Sequence, residues 1–361
     1  MAGGLSDMAA WRVVRLNAAL FPVDAYEAAQ YAWHGLKPVE VETTTLDELR
    51  AATAEAEAVL VVSATLPAPV VAGMARCRVI ARLGAGTDKL AVDTATAQGI
   101  VVANVPDFCA EEQAVHTWTL ILALARQLPR MTAALAAGTY DAARALSRAN
   151  QRLSGQTLGL VGFGHSAKRV ARMAQGFGLR VLATRRRAGP DAEAEALGVT
   201  LTDLDTVLRE ADWLSLHTPL LPDTYHLLDA AALAKMKPGA ALINTARGAL
   251  VDEAALVAAL QAGRLAGAGL DTFESLDMFG PESGPPAHPL LGRPNVIMTP
   301  HVAAGSVQAM QAVARGSVEN VAAVLRGYWP PPDRIVNAGV QPRQGLRAHV
   351  PDWFSAGEAT S

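Results

Sequence analysis

The sequence predicts an α/β protein built from two doubly wound domains with parallel sheets. At ~100–200 residues per domain, its 361 residues predict two domains, with three as the alternative. Short, almost continuously hydrophobic runs alternate with Ala-rich stretches of helical pattern. Such runs are typical of parallel strands that are buried on both faces. A glycine-rich turn also separates one hydrophobic run from a helical stretch near the middle of the chain. These observations indicate sheets that are covered by helices on both sides.

The composition excludes several classes of protein. Hydrophobic residues make up 51% of the chain and charged residues 18%, which excludes a disordered or collagen-like chain. The net charge of −3 gives no support to nucleic-acid binding, because phosphate binding needs a concentrated basic face. The two cysteines, Cys77 and Cys109, exclude a zinc cluster or a disulfide framework, and we expect no metal.

Neither a secretory signal nor a membrane span is predicted. Residues 1–10 lack a basic segment followed by an apolar one. No apolar run reaches the ~20 residues that a bilayer span requires. We therefore expect a soluble, cytoplasmic protein that does not bind membranes.

The first part of the chain predicts strands with helices between them. The strands are Val13–Leu16, Val59–Ser63 and Val79–Leu83, and the helices cover 46–57 and 66–75. A long helix is predicted from Glu111 to Arg130, with acidic residues at its start that suit a helix N-terminus. This helix is expected to connect the two domains.

A second series of strands predicts a dinucleotide-binding domain, since six parallel strands with crossovers match that fold. The strands are Leu158–Val161, Arg180–Ala183, Trp213–Leu216, Ala240–Ile243, Gly267–Leu270 and Val296–Met298. A last helix, 303–326, is expected to pack on the first domain. The domains are thus 1–110 with 305–361, and 111–304. The polar tail 341–361 is expected to be loose or to clasp the surface.

The glycine-rich turn has the pattern G-x-G-x-x-A after a strand and before a helix, the context in which it binds a dinucleotide. Gly162 permits a tight turn, and Gly164 lets the backbone approach a pyrophosphate. Ala167 replaces the third glycine. The helix N-terminus offers free N–H groups to the phosphates. The predicted cofactor-binding residues of this turn are Gly162, Phe163, Gly164, His165 and Ser166.

The end of the next strand bears on which dinucleotide binds. An acid there would bind the adenosine ribose and repel a 2′-phosphate. This chain has Thr184, Arg185, Arg186 and Arg187, and the next acid is Asp191. Guanidinium groups bind phosphate in bidentate geometry. The sequence therefore favours NADP(H), with NAD(H) as the alternative.

Several motifs, spread over about residues 55–337, resemble those of the D-isomer-specific 2-hydroxyacid dehydrogenases. They are R-L-G-A-G-T-D (82–88), V-P-D-F-C-A-E-E (105–112), H-T-P-L (217–220) with Thr224, N-T-A-R-G-A-L-V-D-E (244–253) and T-P-H (299–301). The resemblance implies a flavodoxin-like substrate domain and a Rossmann dinucleotide-binding domain. It also implies further cofactor-binding residues, which are His217, Thr218, Pro219, Thr224, Thr245, Ala246 and Asp271.

The same resemblance implies reduction of a 2-keto acid, and the chemistry of the residues agrees with it. Arg247 follows one predicted strand and His301 another, so both lie at the carboxyl edge where such sheets bind ligands. The fork of Arg247 suits substrate oxygens, and His301 suits proton transfer near neutral pH. In the family the substrate carboxylate also binds backbone N–H groups, which correspond to Ala85 and Gly86.

The acid that supports the family's histidine is displaced in this chain. It stands five residues after the aspartate of the G-L-D-x-F motif, where this chain has Leu276. Asp277, one residue later, is the preferred replacement because distance from the strand end limits side-chain placement. Glu274 is an alternative. Glu282 is another, through a second, offset match to the family motif after a six-residue insertion. A further alternative is that no carboxylate supports His301.

The predicted function is NADPH-dependent reduction of a small 2-keto acid, such as glyoxylate or hydroxypyruvate, to the D-2-hydroxy acid. His301 donates the proton. The alternatives are a nucleotide-sensing, corepressor-like binding protein of the same fold and a formate- or phosphite-type dehydrogenase. The resemblance also implies a homodimer through the nucleotide domain, for which the helix 111–130 offers an apolar face.

Overall fold

The computed structural model describes residues 11–348 apart from 18, 20, 44, 149, 187–188, 277 and 280–283. The chain forms two compact units. The first unit combines residues 1–108 with 306–361, and the second comprises 109–305. These divisions lie within two residues of those expected from the sequence.

The first unit contains a sheet of five parallel strands in the order β2-β1-β3-β4-β5, which is the flavodoxin-like order. The strands are β1 (Val13–Leu16), β2 (Val39–Val41), β3 (Ala58–Val61), β4 (Val79–Arg82) and β5 (Val101–Ala103). The helices between them are α1 (Ala25–Trp33), α2 (Leu46–Thr53), α3 (Ala68–Ala72) and α4 (Val92–Ala97). Each face of this sheet carries a separate hydrophobic cluster, as the hydrophobic runs predict.

The prediction of one continuous helix from Glu111 to Arg130 is wrong. The structure has α5 (Ala110–Ala125), α6 (Leu128–Ala136) and α7 (Tyr140–Ser147). Gln127 has a left-handed backbone conformation with φ of 50°, which ends the first helical run. Pro129 then lies in the first turn of α6, the one place in a helix where its missing N–H is tolerated.

The second unit contains a sheet of seven strands in the order β12-β11-β10-β9-β6-β7-β8, and every pair is parallel. Its strands are β6 (Thr157–Val161), β7 (Arg180–Thr184), β8 (Val199–Leu201), β9 (Trp213–Leu216), β10 (Ala241–Asn244), β11 (Gly267–Leu270) and β12 (Val296–Met298). The intervening helices are α8 (His165–Phe177), α9 (Ala192–Ala196), α10 (Leu204–Glu210), α11 (Ala230–Lys235) and α12 (Glu253–Gln261).

This strand order determines where ligands bind. The chain runs from β6 outward through β7 and β8, then returns to β9 on the other side of β6. The reversal leaves a crevice at the carboxyl ends of β6 and β9, which is the position where doubly wound sheets bind ligands. The two-domain parallel architecture predicted from the sequence is confirmed. The three short strands β2, β5 and β8 were not predicted.

The last long helix, α13 (Val307–Leu325), belongs to the first unit. Its buried side chains, among them Val318 and Val321, join the hydrophobic cluster on one face of that sheet. The segment 341–348 lies on the same unit, where the guanidinium of Arg343 donates to the carbonyl oxygen of Met74 at 2.8 Å. This part of the tail clasps the surface, and residues 349–361 lie outside the described residues.

No helix in the described part of the chain is both long and apolar enough to cross a bilayer.

Candidate active site

The glycine-rich turn follows β6 at the crevice of the second unit. Gly162 has φ of 98°, and an added Cβ would lie 2.3 Å from the carbonyl oxygen of His217. Its N–H donates to the carbonyl oxygen of Thr184 at 2.9 Å, so the turn adjoins the end of β7. Only glycine satisfies both the conformation and the close approach at this position.

Gly164 provides the open side of the turn. It precedes α8, whose N-terminus receives no capping hydrogen bond from any side chain that the structure describes. An added Cβ at Gly164 would meet no atom within 4 Å. At Gly164 the described part of the chain thus leaves room for a close approach to the start of α8, as the binding of a pyrophosphate requires. His165 and Ser166 form the first turn of α8, and Phe163 is buried against the sheet.

His217 connects this turn to β9. Its Nδ1 lies 3.1 Å from the hydroxyl of Ser166, and its Nε2 lies 2.9 Å from the hydroxyl of Ser215. Burial lowers the pKa of His217 to about 4, so the ring is neutral at physiological pH. A neutral imidazole between two hydroxyls positions Ser166 at the start of the helix without adding charge.

The segment after His217 forms a turn that Thr224 organises. The hydroxyl of Thr224 donates to the carbonyl oxygen of Pro219 at 2.8 Å and accepts the N–H of Leu221 at 2.8 Å. Thr218 lies at the start of this turn, and its N atom would be 3.0 Å from a Cβ on Gly162. The predicted residues of the H-T-P-L segment thus border the glycine-rich turn.

The arginines after β7 are paired with acids. The guanidinium of Arg185 contacts the carboxylate of Asp191 at 2.5 Å, and that of Arg186 binds both oxygens of Asp223 at 2.8 and 2.9 Å. Arg187 lies outside the described residues. The sequence shows no acid at the strand end, but the structure brings Asp191 back to that position from six residues further along.

Arg247 lies on a turn after β10 that Asn244 holds from within. The side-chain amide of Asn244 donates to the carbonyl oxygen of Arg247 at 2.8 Å and accepts the N–H of Ala246 at 3.0 Å. Helix α5 holds the same turn from outside, because Gln113 donates to the carbonyl oxygen of Thr245 at 2.7 Å. The hydroxyls of Thr117 and Thr245 also lie 3.1 Å apart.

His301 follows β12 at the same edge of the sheet and has a left-handed backbone with φ of 57°. The buried carboxylate of Asp271 holds its loop, accepting the hydroxyl of Thr299 at 2.6 Å and the N–H groups of Val302 and Ala303 at 2.9 and 2.8 Å. Nε2 of His116 lies 2.9 Å from the hydroxyl of Thr299. Asp271, which the resemblance implies to be cofactor-binding, uses its carboxylate in this structure to shape the histidine loop.

Sequence reasoning missed several residues that support the site, namely Asn244, Gln113 and His116. Two of them, Gln113 and His116, are partly buried polar positions of helix α5, which also carries buried apolar residues. A polar residue on the buried side of such a helix signals a hydrogen-bonding role, but the sequence does not reveal which loop it contacts.

The structure describes one of the three candidate acids for His301. Asp277 and Glu282 lie outside the described residues, so their roles stay predictions. The carboxylate of Glu274 instead binds Nε2 of His226 and the hydroxyl of Tyr225, each at 2.8 Å. Glu274 is therefore occupied by other partners.

The loop that carries these candidate acids reaches the histidine and is anchored at its base. The ring of Phe279 lies beside that of His301, with their centroids 4.9 Å apart. The carboxylate of Glu253 accepts the N–H of Glu274 at 2.8 Å and lies 3.3 Å from Nε2 of His288. Glu253 thus connects the two ends of this loop, and His288 forms one of these two contacts.

The predicted substrate loop in the first unit follows β4. The carbonyl oxygen of Ala85 accepts the side-chain amide of Asn104 at 2.6 Å, and that of Gly84 accepts the N–H of Val105 at 3.1 Å. Among the described residues no protein acceptor takes the N–H of Ala85 or of Gly86. The loop is thus fixed through its carbonyl groups, while these two N–H groups are available to a carboxylate.

Other features of the second unit lie away from this chemistry. A cavity of about 310 Å³ opens at the opposite, amino edge of the sheet, beside Trp213 and Asn295, and no predicted site residue lines it. Within the described residues, no group of three His, Cys, Asp or Glu side chains is placed to hold a metal ion.

Comparison with known proteins identifies the family. Residues 118–303 match the sequence profile of the D-isomer specific 2-hydroxyacid dehydrogenase, NAD binding domain. D-3-phosphoglycerate dehydrogenase of Mycobacterium tuberculosis is 38% identical over 295 residues, which cover 81% of this chain and 54% of that protein. Glyoxylate reductase of Thermococcus litoralis is 35% identical over 269 residues, which cover 73% of this chain and 78% of that protein.

A solved structure supports the same assignment. The NADPH-dependent glyoxylate/hydroxypyruvate reductase of Sinorhizobium meliloti, in complex with NADP and malonate, has a TM-score of 0.76 and 29% identity. The alignment covers 94% of this chain and 100% of that one. The chain spans about half the length of the phosphoglycerate dehydrogenases that it matches. Fold, motifs and similarity agree, and the chain belongs to the D-isomer-specific 2-hydroxyacid dehydrogenase family.

Proposed function

We propose that the protein is an NAD(P)-dependent dehydrogenase that reduces a small 2-keto acid to the D-2-hydroxy acid. One observation carries this proposal. The loops of Arg247 and His301 follow β10 and β12 of the sheet whose β6 leads into the glycine-rich turn. A guanidinium, an imidazole and a dinucleotide-binding turn thus belong to the carboxyl edge of one sheet, where such folds bind ligands.

Each residue has a role that its chemistry supports. The guanidinium of Arg247 binds the carboxylate and polarises the carbonyl group of the substrate. His301 donates a proton to the carbonyl oxygen as that oxygen becomes negative. The N–H groups of Ala85 and Gly86 bind the carboxylate. A bound nicotinamide supplies the hydride, which makes the reaction a two-electron reduction that consumes one proton.

The proposed cofactor is NADP(H), with NAD(H) as the weaker alternative. Gly162, Gly164 and the start of α8 would hold the pyrophosphate, and the Ser166–His217 pair would stabilise that turn. Arg185 and Arg186 occupy the strand end at which an acid would favour NAD(H). The Sinorhizobium reductase, similar over nearly the whole chain, is named as NADPH-dependent.

The proposed substrates are glyoxylate and hydroxypyruvate. The names of the Thermococcus and Sinorhizobium relatives support them, whereas the mycobacterial relative is named for 3-phosphoglycerate. Consumption of NADPH is the direct test, with glyoxylate, hydroxypyruvate and 3-phosphohydroxypyruvate offered in parallel. We expect turnover with the first two. Turnover of the phosphorylated acid alone would contradict the proposed substrate, and no turnover of any keto acid would contradict the proposed activity.

Two variants connect the activity to the proposed residues. Arg247→Ala is expected to raise KM and lower kcat together, because it removes both binding and polarisation of the substrate. His301→Ala is expected to lower mainly kcat, by ~10²–10⁴-fold, the usual contribution of general acid catalysis. A native-like kcat in His301→Ala would show that another group donates the proton.

We also propose a homodimer. Neither α6 nor α7 contains a buried residue. Their large apolar side chains lie at the surface, since Leu128, Leu135 and Tyr140 are each more than half exposed. Such short helices gain their stability mainly from packing, so an apolar partner surface is expected on them. Sedimentation of the native protein and of Leu128→Arg/Leu135→Arg tests this. We expect a native dimer and a monomeric variant, and a native monomer would contradict the proposal.

A further inference from the structure

The end of β7 carries an ion pair that the sequence alone does not show. Nη1 of Arg185 contacts Oδ2 of Asp191 at 2.5 Å, and its Nη2 donates to the carbonyl oxygens of Gly189 and Pro190 at 2.9 and 3.2 Å. The side chains of Arg185 and Asp191 are 25% and 13% exposed. The pair is therefore more shielded from solvent than the Arg186–Asp223 pair beside it, whose side chains are each 65% exposed.

Asp191 is fixed in place by the helix that follows it. Its Oδ1 accepts the N–H groups of Glu193 and Ala194 at 3.1 and 3.0 Å, which caps the start of α9. The hydrogen bond from Ala194 lowers the pKa of Asp191, so the carboxylate stays charged at neutral pH. One oxygen of Asp191 thus caps the helix, and the other holds the guanidinium of Arg185.

The position of this pair relates it to the cofactor. In dinucleotide-binding folds, the residue at the end of the second strand lies where the adenosine 2′-hydroxyl or 2′-phosphate binds. The carbonyl oxygen of Thr184, next to Arg185, accepts the N–H of Gly162 in the glycine-rich turn. A 2′-phosphate that approaches Arg185 therefore meets a guanidinium already bound to a carboxylate, whereas a ribose hydroxyl can donate to that carboxylate.

We infer that Asp191 is a specificity-determining residue, which competes with the 2′-phosphate of NADP(H) for Arg185 and so moderates the preference for that cofactor. This inference rests on the proposed function, because it assumes that the turn binds a dinucleotide. Nε of Arg185 is buried and, among the described residues, has no partner. The pairing with Asp191 thus uses one nitrogen of the guanidinium, whereas a phosphate that takes the place of Asp191 can accept from two nitrogens at once.

A binding experiment tests this without catalysis. The probes are adenosine 2′,5′-bisphosphate, which carries the 2′-phosphate, and 5′-AMP, which lacks it. Asp191→Asn removes the charge and keeps the cap, because asparagine caps helices as well as aspartate does. Near a protein surface one charge at this range changes anion binding by about tenfold. We expect calorimetry to show that gain for the bisphosphate and little change for 5′-AMP.

Two controls isolate the pair. Asp203 caps α10 in the same way, accepting the N–H of Thr206 at 2.8 Å, so Asp203→Asn makes the same change of charge and cap away from Arg185. It is expected to leave the ratio of the two affinities unchanged. Adding Arg185→Gln to Asp191→Asn is expected to abolish the gain, since the carboxylate acts through that guanidinium.

The outcomes separate the inference from the proposed function. An unchanged affinity ratio in Asp191→Asn, an equal gain in Asp203→Asn, or a gain that survives Arg185→Gln would each overturn the inference. If the native protein binds 5′-AMP in those cases, the proposed dinucleotide site stands. If the native protein binds neither nucleotide, the proposed function and the inference are both overturned.

Discussion

The backbone of Gly248 lies directly against that of Phe273, so that an added Cβ at Gly248 would be 1.9 Å from the carbonyl carbon of Phe273. This contact joins the turn that carries Arg247 to the segment that follows β11. The second segment begins with Asp271, whose carboxylate holds the loop of His301. The close approach at Gly248 therefore connects the supports of both proposed catalytic residues.

Gly248→Ala is expected to displace one of these segments. Because the obstructing atoms belong to the backbone, relief requires a backbone shift, with a cost of about 3 kcal/mol in the free energy of unfolding. Activity is also expected to fall, because the shift moves the supports of both proposed catalytic residues. Gly176→Ala is the matched control, since an added Cβ there meets no atom within 4 Å and α8 favours alanine. Urea unfolding of both variants measures the effect, and equal stability would contradict the close packing.

The fold was predictable because its signal is local. Hydrophobic runs such as Thr157–Val161 are buried along their whole length, and the glycine-rich turn follows directly. The short strand Val199–Leu201 was not predicted, because Thr200 interrupts its hydrophobic run and leaves no continuous apolar segment. The predicted helix from Glu111 to Arg130 is interrupted because Pro129 has no N–H to bond to the carbonyl of Ala125, which a continuous helix requires.

The site was predictable only in part, because its supports are distant in sequence. Motifs locate Arg247 and His301, but they do not show that Asn244 and Gln113 hold the arginine turn. The pairing of Arg185 with Asp191 likewise depends on a turn whose path the sequence does not specify. Long-range hydrogen bonds of this kind require the three-dimensional arrangement.

Alanine substitutions at the two glycines of the glycine-rich turn are expected to have different effects. Gly162→Ala places a Cβ against His217 in a left-handed backbone, so we expect loss of stability well above 1 kcal/mol. Gly164→Ala meets no protein atom and has an ordinary φ of −95°, so we expect native stability. Its methyl group would instead occupy the space proposed for the pyrophosphate.

Thermal unfolding and calorimetry with NADPH distinguish these two effects. Gly164→Ala is expected to keep the native Tm and to lose at least about tenfold in affinity, since the backbone of this turn must approach the phosphates. If Gly164→Ala binds NADPH as tightly as the native protein, the turn does not contact the pyrophosphate.

The acid that supports His301 can be identified from the pH dependence of reduction. A carboxylate beside an imidazole favours the protonated ring, so its removal moves the alkaline limit of activity to lower pH. We expect this shift in Asp277→Asn. Glu274→Gln is the control, because Glu274 already binds His226 and Tyr225. A shift in Glu282→Gln alone would instead place the acid after the six-residue insertion.

Stability is expected to fall in mild acid because of His217. Its pKa is about 4 in the folded protein, against an ordinary value of 6.5. Between pH 6.5 and about 4, His217 binds a proton in the unfolded chain but stays neutral in the folded protein. The free energy of unfolding therefore declines as the pH falls through this range, and it levels off below it. His34 has a pKa lowered to about 4 by burial and by Arg326, and it adds to the decline over the same range.

His217→Gln isolates the first contribution, since glutamine retains hydrogen-bonding capacity without titrating. Urea unfolding of the native protein and the variant is compared at several pH values between 4 and 7. The native protein is expected to lose about 2 kcal/mol more than the variant across this range, because one pKa unit corresponds to about 1.4 kcal/mol and partial exposure reduces the full effect. The contribution of His34 remains in both proteins and cancels.

Parallel curves would mean that the ring of His217 accepts a proton in the folded protein as readily as in the unfolded chain. The Ser166–His217–Ser215 hydrogen bonds would then not depend on a neutral ring.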